Sequence, residues 1–453
     1  MQILLPKQVK IIIETLETAG YEAYAVGGCV RDSILKRKPD DWDITTSAKP
    51  EQVKSLFRRT IDTGIQHGTV TVLMDGQGFE VTTYRIDGEY TDSRHPKDVS
   101  FTDNLTEDLK RRDFTINAMA YSESCGLVDV FGGVQDLENG IIRCVGKAAE
   151  RFDEDALRIL RAVRFAAQLG FEIEEDTQKA ASLMAENLRN ISAERIQTEL
   201  VKLLVSSHPE VLKKAYELGL TRIILPEFDI MMETEQNNPH HMYSVGEHTL
   251  KALEYVESDK VMRLAVLCHD FGKPASKTTK DGTDHFYGHP LISEQIASQV
   301  LHRLKFDNDT IYKVKKLVLY HDTRPSINKE EIEQLRKGKR VVPEKFVRRL
   351  IFKVGKELFP QLLQVRGADT LAQSDYGKTE KLILLEQMTE IYEEIVEKDQ
   401  CLSLKELAVN GKDLLAAGLK PGKQMGEILN RMLEDVLEEP EHNTKEYLMS
   451  RYL

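Results

Sequence analysis

The sequence predicts an α/β N-terminal unit, a small mixed sheet with helices, followed by an all-α remainder. Three observations predict it. Short β-prone segments (Ala23–Val26, Trp42–Thr45, Gly68–Met74 and Phe79–Thr83) are punctuated by Gly and Asp. From about residue 148 onward, apolar residues recur at i, i+3 and i+4 with few alternating runs. Before the first strand, Lys7 to Ala19 carries helical spacing and Gly20 ends it.

The chain has 453 residues, too many for one ordinary core. Its composition is that of a globular protein, and no apolar run approaches the roughly 20 residues that span a bilayer. The N-terminus, Met1 to Lys7, lacks a basic region followed by a long apolar stretch, so no signal peptide is expected. Cys29, Cys125, Cys144, Cys268 and Cys401 are scattered and show no C-x-x-C spacing. That argues against a disulfide framework or a cysteine zinc site, and for a reducing cytoplasm. The net charge of −12 does not suggest nucleic-acid binding, but a local basic stripe suffices to hold phosphates. Residues 336–356 are such a stripe, with a solvated face as the alternative reading.

The first chemical constellation is Gly27-Gly28-Cys29-Val30-Arg31-Asp32, followed by Asp41-Trp42-Asp43. Two glycines after a strand let backbone approach a phosphate, and a following helix N-terminus favours anions. Arg31, in the first turns of that helix, can add a charge-assisted contact. Asp41 and Asp43 at i and i+2 share one face of a strand. Such a pair suits one or two Mg²⁺ ions on a triphosphate. Taken alone, either piece also fits an ordinary turn or cap. Glu80 is either a third acidic group or an edge-strand surface residue.

Two further pieces follow. In Arg111-Arg112-Asp113-Phe114-Thr115-Ile116-Asn117-Ala118, a helix would place Asp113 and Asn117 on one face, where they can hold a ribose hydroxyl while Arg112 meets phosphate. The alternative is a helix start with Asp113 as a first-turn carboxylate. In Glu154 to Phe165, helical spacing puts Glu154, Arg158, Arg161 and Arg164 on one stripe, with Asp155 bordering Arg158. Arginine and carboxylate together can read a base edge. A surface helix laced with ion pairs explains the stripe equally well. The polar stretch Asp87 to Thr106 is expected to be a long functional loop.

These pieces, with L-V-D-V-F-G-G-V-Q-D-L and I-S-A-E-R-I, resemble in that order the class II tRNA nucleotidyltransferases, bacterial CCA-adding enzymes and their poly(A) polymerase relatives. The resemblance covers residues 20–200 closely and the rest more loosely. It implies that Asp41 and Asp43 hold catalytic Mg²⁺. Gly28, Arg31 and Arg112 would contact the triphosphate. Asp155 and Arg158 would read CTP or ATP, supported by Arg161 and Arg164. The implied partners are tRNA, CTP and ATP, with no membrane. The Asp87–Thr106 loop resembles the family's flexible loop, associated with the switch from C to A addition. The expected division is a catalytic head (1–145), a helical neck (146–225), a body (226–360) and a tRNA-binding tail (361–453). In the tail, Gly418 to Gly426 reads as a tight turn opening a helix. The remaining alternative for the head is a polymerase of the same fold that adds only A.

The middle of the chain carries His248, His269-Asp270-Phe271-Gly272-Lys273, His289 and His321-Asp322, after an aperiodic stretch from Glu233 to His241. This resembles the HD phosphohydrolase domain. The resemblance implies a divalent metal on His248, His269, Asp270 and Asp322, with His289 and His321 completing a second position. Neighbouring His269 and Asp270 can serve one site only at a helix end, and Gly272 and Pro274 make one there. The domain is then either a second, metal-dependent phosphohydrolase or a scaffold.

Overall fold

The computed structural model describes residues 2–88 and 99–453. The chain divides into two compact units, Met1–Pro226 and Glu227–Leu453.

The first unit opens with helix α1 (Lys7–Thr18), which buries Val9, Ile12, Ile13 and Leu16, one helical stripe. Strand β1 (Ala23–Val26) is buried along its whole length. Helix α2 (Gly28–Ile34) follows, then β2 (Ile44–Thr46), α3 (Pro50–Leu56), β3 (Thr60–Gly64), β4 (Thr69–Met74) and β5 (Gln77–Thr83). A hairpin of β6 (Arg85–Asp87) and β7 (Val99–Phe101) leads to α4 (Leu105–Lys110), β8 (Met119–Ser122), β9 (Gly126–Asp129) and α5 (Gly133–Asn139). Seven strands form one mixed sheet in the order β3-β4-β5-β2-β1-β8-β9. Only β2 and β5 pair in parallel, with Ile44 opposite Val81. A cluster of Tyr24, Val26, Tyr84, Leu109, Ala118 and Val145 packs on the sheet. Residues 145/146 mark no break in this unit. The short strands β10 (Ile141–Ile142) and β11 (Glu172–Ile173) pair across that position.

Helices α6 (Ala148–Glu154) and α7 (Leu157–Leu169) follow, then α8 (Glu175–Leu183) and α9 (Ala193–Leu204). Helix α7 buries Ile159, Leu160, Ala162, Val163 and Ala166 and ends on Gly170, which is left-handed at φ 70°.

Several local expectations change. The Asp-x-Asp segment precedes its strand, which begins only at Ile44. Asp113 lies outside any helix; a single 3₁₀ turn covers Thr115–Asn117. Glu154 ends α6, and Asp155 adopts an extended backbone between the two helices, so Glu154 is not on the arginine helix. Of the expected loop from Asp87 to Thr106, the described residues include a strand and a helix start. Val99–Phe101 pairs with Arg85–Asp87, and Asn104 caps α4 by accepting from the Thr106 amide. Its residues 89–98 lie outside the described residues.

The second unit is helical apart from a hairpin of Thr278–Lys280 and Thr283–His285. Helices Val245–Glu254, Lys260–Cys268, His289–Arg303, Asn308–Tyr320 and Phe359–Leu371 pack together. Gly272 sets a close approach here. A Cβ on it would lie 2.5 Å from the His289 carbonyl oxygen and 2.6 Å from the Ser293 nitrogen. The turn after Cys268 therefore presses directly against the start of the helix beginning at His289. The expected boundary at 360/361 falls inside helix Phe359–Leu371. The basic stretch 336–356 is largely neutralised within the unit. Arg336 pairs with Glu380, Arg340 with Glu394, and Lys345 and Arg349 with Glu438. Arg348 is buried against the carbonyls of Leu437 and Glu438. In the tail, Gly422 precedes a helix over Lys423–Glu438, matching the expected turn.

Candidate active site and a histidine–aspartate cluster

The first site begins at the β1–α2 turn. Gly27 has φ 84°, and its amide donates to the Met119 carbonyl. A Cβ there would lie 2.9 Å from Arg112 Nη1. The close approach thus belongs to Gly27, beside the Gly28 singled out from the sequence. The Val26 amide donates to the Asp43 carbonyl, which holds the Asp-x-Asp segment against the same turn.

Asp41, Asp43 and Glu80 line one cleft of about 600 Å³. Because Ile44 pairs with Val81, Asp43 and Glu80 occupy neighbouring positions one residue earlier on the two strands. All three are exposed to the cleft. Even so, loss of water raises the Asp43 pKa, Arg112 opposes the rise, and Asp41 adds to it. Glu80 is raised by the same loss of water and by the charges of Asp43 and Asp41. Like charges gathered around Asp43 and Glu80 in this way are what a bound cation relieves. This is the fit of the site to a divalent metal.

A second cavity, of about 240 Å³, is lined by Arg112, Asp113, Asp155, Arg158, Arg161 and Arg195 among others. Asp113 is its fixed point. One oxygen accepts from the Phe114 amide and from Asn117 Nδ2, and the other from Arg161 Nε at 2.8 Å and Nη2. Burial works to raise the Asp113 pKa, but Arg161 and Asn117 outweigh it and hold the carboxyl well below the usual range. The expected Asp113–Asn117 pairing is therefore present, made by a tight turn instead of a helix. Asp155 caps α7 through the Leu157 amide and accepts from Arg195 Nη2 at 2.7 Å. Arg158 donates to Glu154 and to the carbonyls of Arg151 and Arg111.

Two predicted contacts lie away from this cavity. Arg31 is buried, donating to both oxygens of Asp32 and to Asn117 Oδ1. Arg164 is buried, paired with Glu199 and lying 3.7 Å from the Phe165 ring centroid. Both support the site from behind. Arg195, Glu199 and Asp108 went unassigned in the sequence. Asp108 is fully buried and pairs with Arg111 and Arg112. Only the acidic first turn of α4 hints at it.

The second unit holds the densest ligand groups among the described residues. His248, His269 and Asp369 bring ligand atoms within 4.8 Å of one another, as do Asp270, His289 and His321. His269 and His321 each cap the C-terminus of a helix, so a helix end does let His269 and Asp270 face one site. The Nδ1 atoms of His269, His289 and His321 face the carbonyls of Val266, Phe286 and Val318 at 2.6–2.8 Å. Only an N–H satisfies a carbonyl, so Nδ1 carries a proton in each ring and Nε2 is the atom turned inward. Two such nitrogens, of His289 and His321, stand 3.2 Å apart. Burial, then His269 and His289, push the His321 pKa down to about 4, keeping it neutral. The Asp270 carboxylate is buried among them, with Oδ2 3.1 Å from His269 Nε2 and 2.7 Å from Lys273 Nζ, and Oδ1 3.4 Å from His289 Nε2. Imidazole nitrogens and buried carboxylate oxygens that converge in this way fit a cation.

Asp322 is not in either group. It lies past its helix end, with its carboxylate 2.7 Å from Arg324 Nη2. Asp369 takes the position instead, projecting from the buried face of helix Phe359–Leu371 and accepting from His248 Nε2 at 2.9 Å. An acid flanked by buried Val365, Ala368 and Thr370 was the available signal.

The mixed sheet, its acidic cleft and the adjoining arginine cavity define a nucleotidyltransferase head. Residues 23–143 match the Poly A polymerase head domain, 170–232 the RNA and SrmB-binding site of polymerase A, and 289–451 the tRNA nucleotidyltransferase domain 2. The CCA-adding enzyme of Streptococcus thermophilus is 36% identical over 446 residues, covering 97% of this chain and 94% of that protein. The CCA-adding enzyme of Lactiplantibacillus plantarum is 56% identical over 200 residues; that match covers 44% of this chain and 49%, about half, of its own length. The crystal structure of the Bacillus stearothermophilus CCA-adding enzyme in complex with CTP aligns with a TM-score of 0.71 at 30% identity, covering 99% of this chain and 98% of that one. The chain belongs to the CCA-adding enzyme family, and membership implies dependence on a divalent metal.

Proposed function

We propose that the chain adds C, C and A to the 3′ end of tRNA from CTP and ATP, releasing pyrophosphate, with no nucleic-acid template. The observation that carries this reading is the acidic cleft of Asp41, Asp43 and Glu80, with Arg112 between it and the arginine cavity. In the reaction the 3′ hydroxyl oxygen bonds to the α-phosphorus and the bond to the β-phosphate oxygen breaks. Asp41 and Asp43 would hold Mg²⁺, which when bound would neutralise charge on the triphosphate and favour loss of the 3′ hydroxyl proton. Arg112, pressed against Gly27, stands where a triphosphate would cross the glycine turn. Arg161 and Asn117 fix Asp113, and Asp155 and Arg158 present the polar edge that selects the base. The RNA substrate is supported by the full-length relative and by the CTP complex of the B. stearothermophilus enzyme. The cytoplasm is the natural compartment for it.

Purified protein should extend tRNAs ending at each stage of CCA when CTP and ATP are supplied separately. No incorporation from CTP alone would favour an enzyme that adds only A. Asp41→Ala and Asp43→Ala should each abolish addition, and full activity in either would sink the metal assignment.

A second reading is favoured by the facing His289 and His321 nitrogens and the buried Asp270 carboxylate beside them. It is a metal-dependent phosphohydrolase of the HD type, held on His248, His269, Asp270 and Asp369. The body would then extend beyond residue 360 to include Asp369, with the tail after it. Phosphatase activity that survives Asp43→Ala but not His269→Ala would establish it; activity lost with both would refute an independent site.

A further inference from the structure

Arg366 is buried on helix Phe359–Leu371, 6% exposed. Its one hydrogen bond, at 3.4 Å, is to the Met388 sulfur, and it forms no ion pair among the described residues. The two nearby carboxylates are committed elsewhere. Asp369 accepts from His248 and Gln373, and Asp322 pairs with Arg324. A buried guanidinium served only by a thioether is costly and demands a counter-charge.

The guanidinium lines a small cavity of about 30 Å³, together with Arg324 and Lys381. His321, Arg324, Asp369 and Lys381 also line the larger cavity of about 290 Å³ over the histidine–aspartate cluster. Lys381 has only neutral partners, Gln373 Oε1 at 2.5 Å and His240 Nδ1 at 3.3 Å. Burial, with Arg324 adding repulsion, lowers both Lys381, to about 8, and Arg366, to about 10. Cations gathered this closely around one cavity are stabilised by an anion set among them. The small cavity has room for an oxygen-sized group, not a whole oxyanion. The larger one has room for the rest.

We propose that Arg324, Arg366 and Lys381 form a phosphate subsite beside the histidine–aspartate cluster, with one phosphate oxygen directed into the side cavity toward Arg366. It deepens the second reading above by giving that site a phosphoryl ligand, but the three cations are independent of any metal. Either free phosphate or the phosphate of a small ester fits this chemistry. Arginine forks suit its oxygens, and lysine adds a point charge.

Calorimetric titration of the full chain with inorganic phosphate, after EDTA treatment and again with manganese, tests it. Arg366→Met should weaken binding at this site at least tenfold, and so should the rim variant Lys381→Met. His269→Ala should bind phosphate as before while losing manganese, so failure of the metal reading and of this one are distinguishable. Adenosine monophosphate in a parallel titration separates the sources: tighter binding assigns an ester, weaker binding free phosphate. Thermal unfolding supplies the control for a structural role. Removing an unpaired buried charge should leave Arg366→Met as stable as the parent or more so. Phosphate binding within twofold of the parent in Arg366→Met, or a marked loss of its stability, would overturn the proposal.

Discussion

The buried pair Arg164–Glu199 joins α7 to α9, and breaking it should be felt in both stability and base choice. Arg164 Nε meets Glu199 Oε2, Nη1 donates to Gln168 at 2.8 Å, and the guanidinium stacks on Phe165. The two side chains are 8% and 6% exposed. Glu199→Gln keeps the shape but leaves Arg164 charged and unmatched. Removing one partner of a buried pair costs about 3–5 kcal/mol. For a unit the size of Met1–Pro226, about 2–4 °C is lost per kcal/mol, so its transition should fall by roughly 6–20 °C. Replacing both partners by apolar residues, Arg164→Met with Glu199→Leu, removes the unmatched charge and should recover most of the loss. Urea unfolding of the parent, both single variants and the double variant measures this. Because Arg161 and Arg158 ride on the same helix, the single variants should also raise KM for nucleotide more than they lower kcat. A cost below about 1 kcal/mol for each single variant, or a double variant no better than the worse single, would refute the reasoning.

Four other outcomes follow from the geometry. Manganese should raise the unfolding temperature of the parent but not of Asp369→Asn, whereas Asp322→Asn should respond like the parent; thermal scans with and without metal check the reassigned ligand. Gly27→Ala adds a Cβ 2.9 Å from Arg112 Nη1 at φ 84°, so nucleotide addition should drop at least tenfold, read as kcat/KM, with the protein still folded. Gly246→Ala would set its Cβ 2.7 Å from the Met232 nitrogen, and the transition of the second unit alone should fall, by calorimetry. Asp113 has a folded pKa below its unfolded value of about 4, so its stabilisation is complete above that pH and is lost as pH falls through the folded value; Asp113→Asn should be less stable than the parent at pH 7, with the gap closing toward pH 2 in acid titrations.

How much of this was legible in the sequence depended on the range of each interaction. Strand β1 and helix α1 were readable because their signals are local: apolar spacing, then Gly20 and Gly27. The Asp41–Asp43 pair and the His269-Asp270 dipeptide were readable because each packs its chemistry into a few residues. What was hidden is what arrives from a distance. Asp155 meets Arg195 40 residues on, and Arg164 meets Glu199 35 residues on. Those contacts depend on how α7 and α9 cross, which no single-helix pattern records. Asp369 was missed for the same reason. Asp322 sits beside His321 in sequence and looked like its partner. Yet the helix ends at Tyr320 and Asp322 pairs with Arg324, while Asp369 comes in from a helix about 50 residues later. Asp113 shows the converse: the pairing with Asn117 was right although the helix was not, because the turn over Thr115–Asn117 folds the chain back and carries Asn117 Nδ2 to Asp113.

The two sites handle charge in opposite ways, and this bears on what each can bind. In the arginine cavity, Asp113, Asp155 and Glu154 already have arginine partners, so the cavity presents a nearly fixed pattern of donors and acceptors. A preformed pattern suits recognition of a base edge, where selectivity comes from polar groups that an incorrect base would leave unpaired. In the acidic cleft, Asp41, Asp43 and Glu80 face one another, and the charge is left for an incoming cation to neutralise. On the proposed reading, selection and chemistry are divided between two cavities of one unit, with Arg112 lining one and its charge acting on Asp43 in the other. The histidine–aspartate cluster is different again. Its imidazoles are oriented by backbone carbonyls and its carboxylates are buried, so its geometry is set before any ligand arrives. A cleft of exposed carboxylates tightens only when metal and triphosphate come together, which couples metal occupancy to nucleotide; a buried, carbonyl-braced cluster should hold its metal whether or not substrate is present. Metal titrations in the presence and absence of CTP should therefore show one nucleotide-dependent and one nucleotide-independent class of site. A single class that follows CTP would remove the histidine–aspartate cluster as a metal centre.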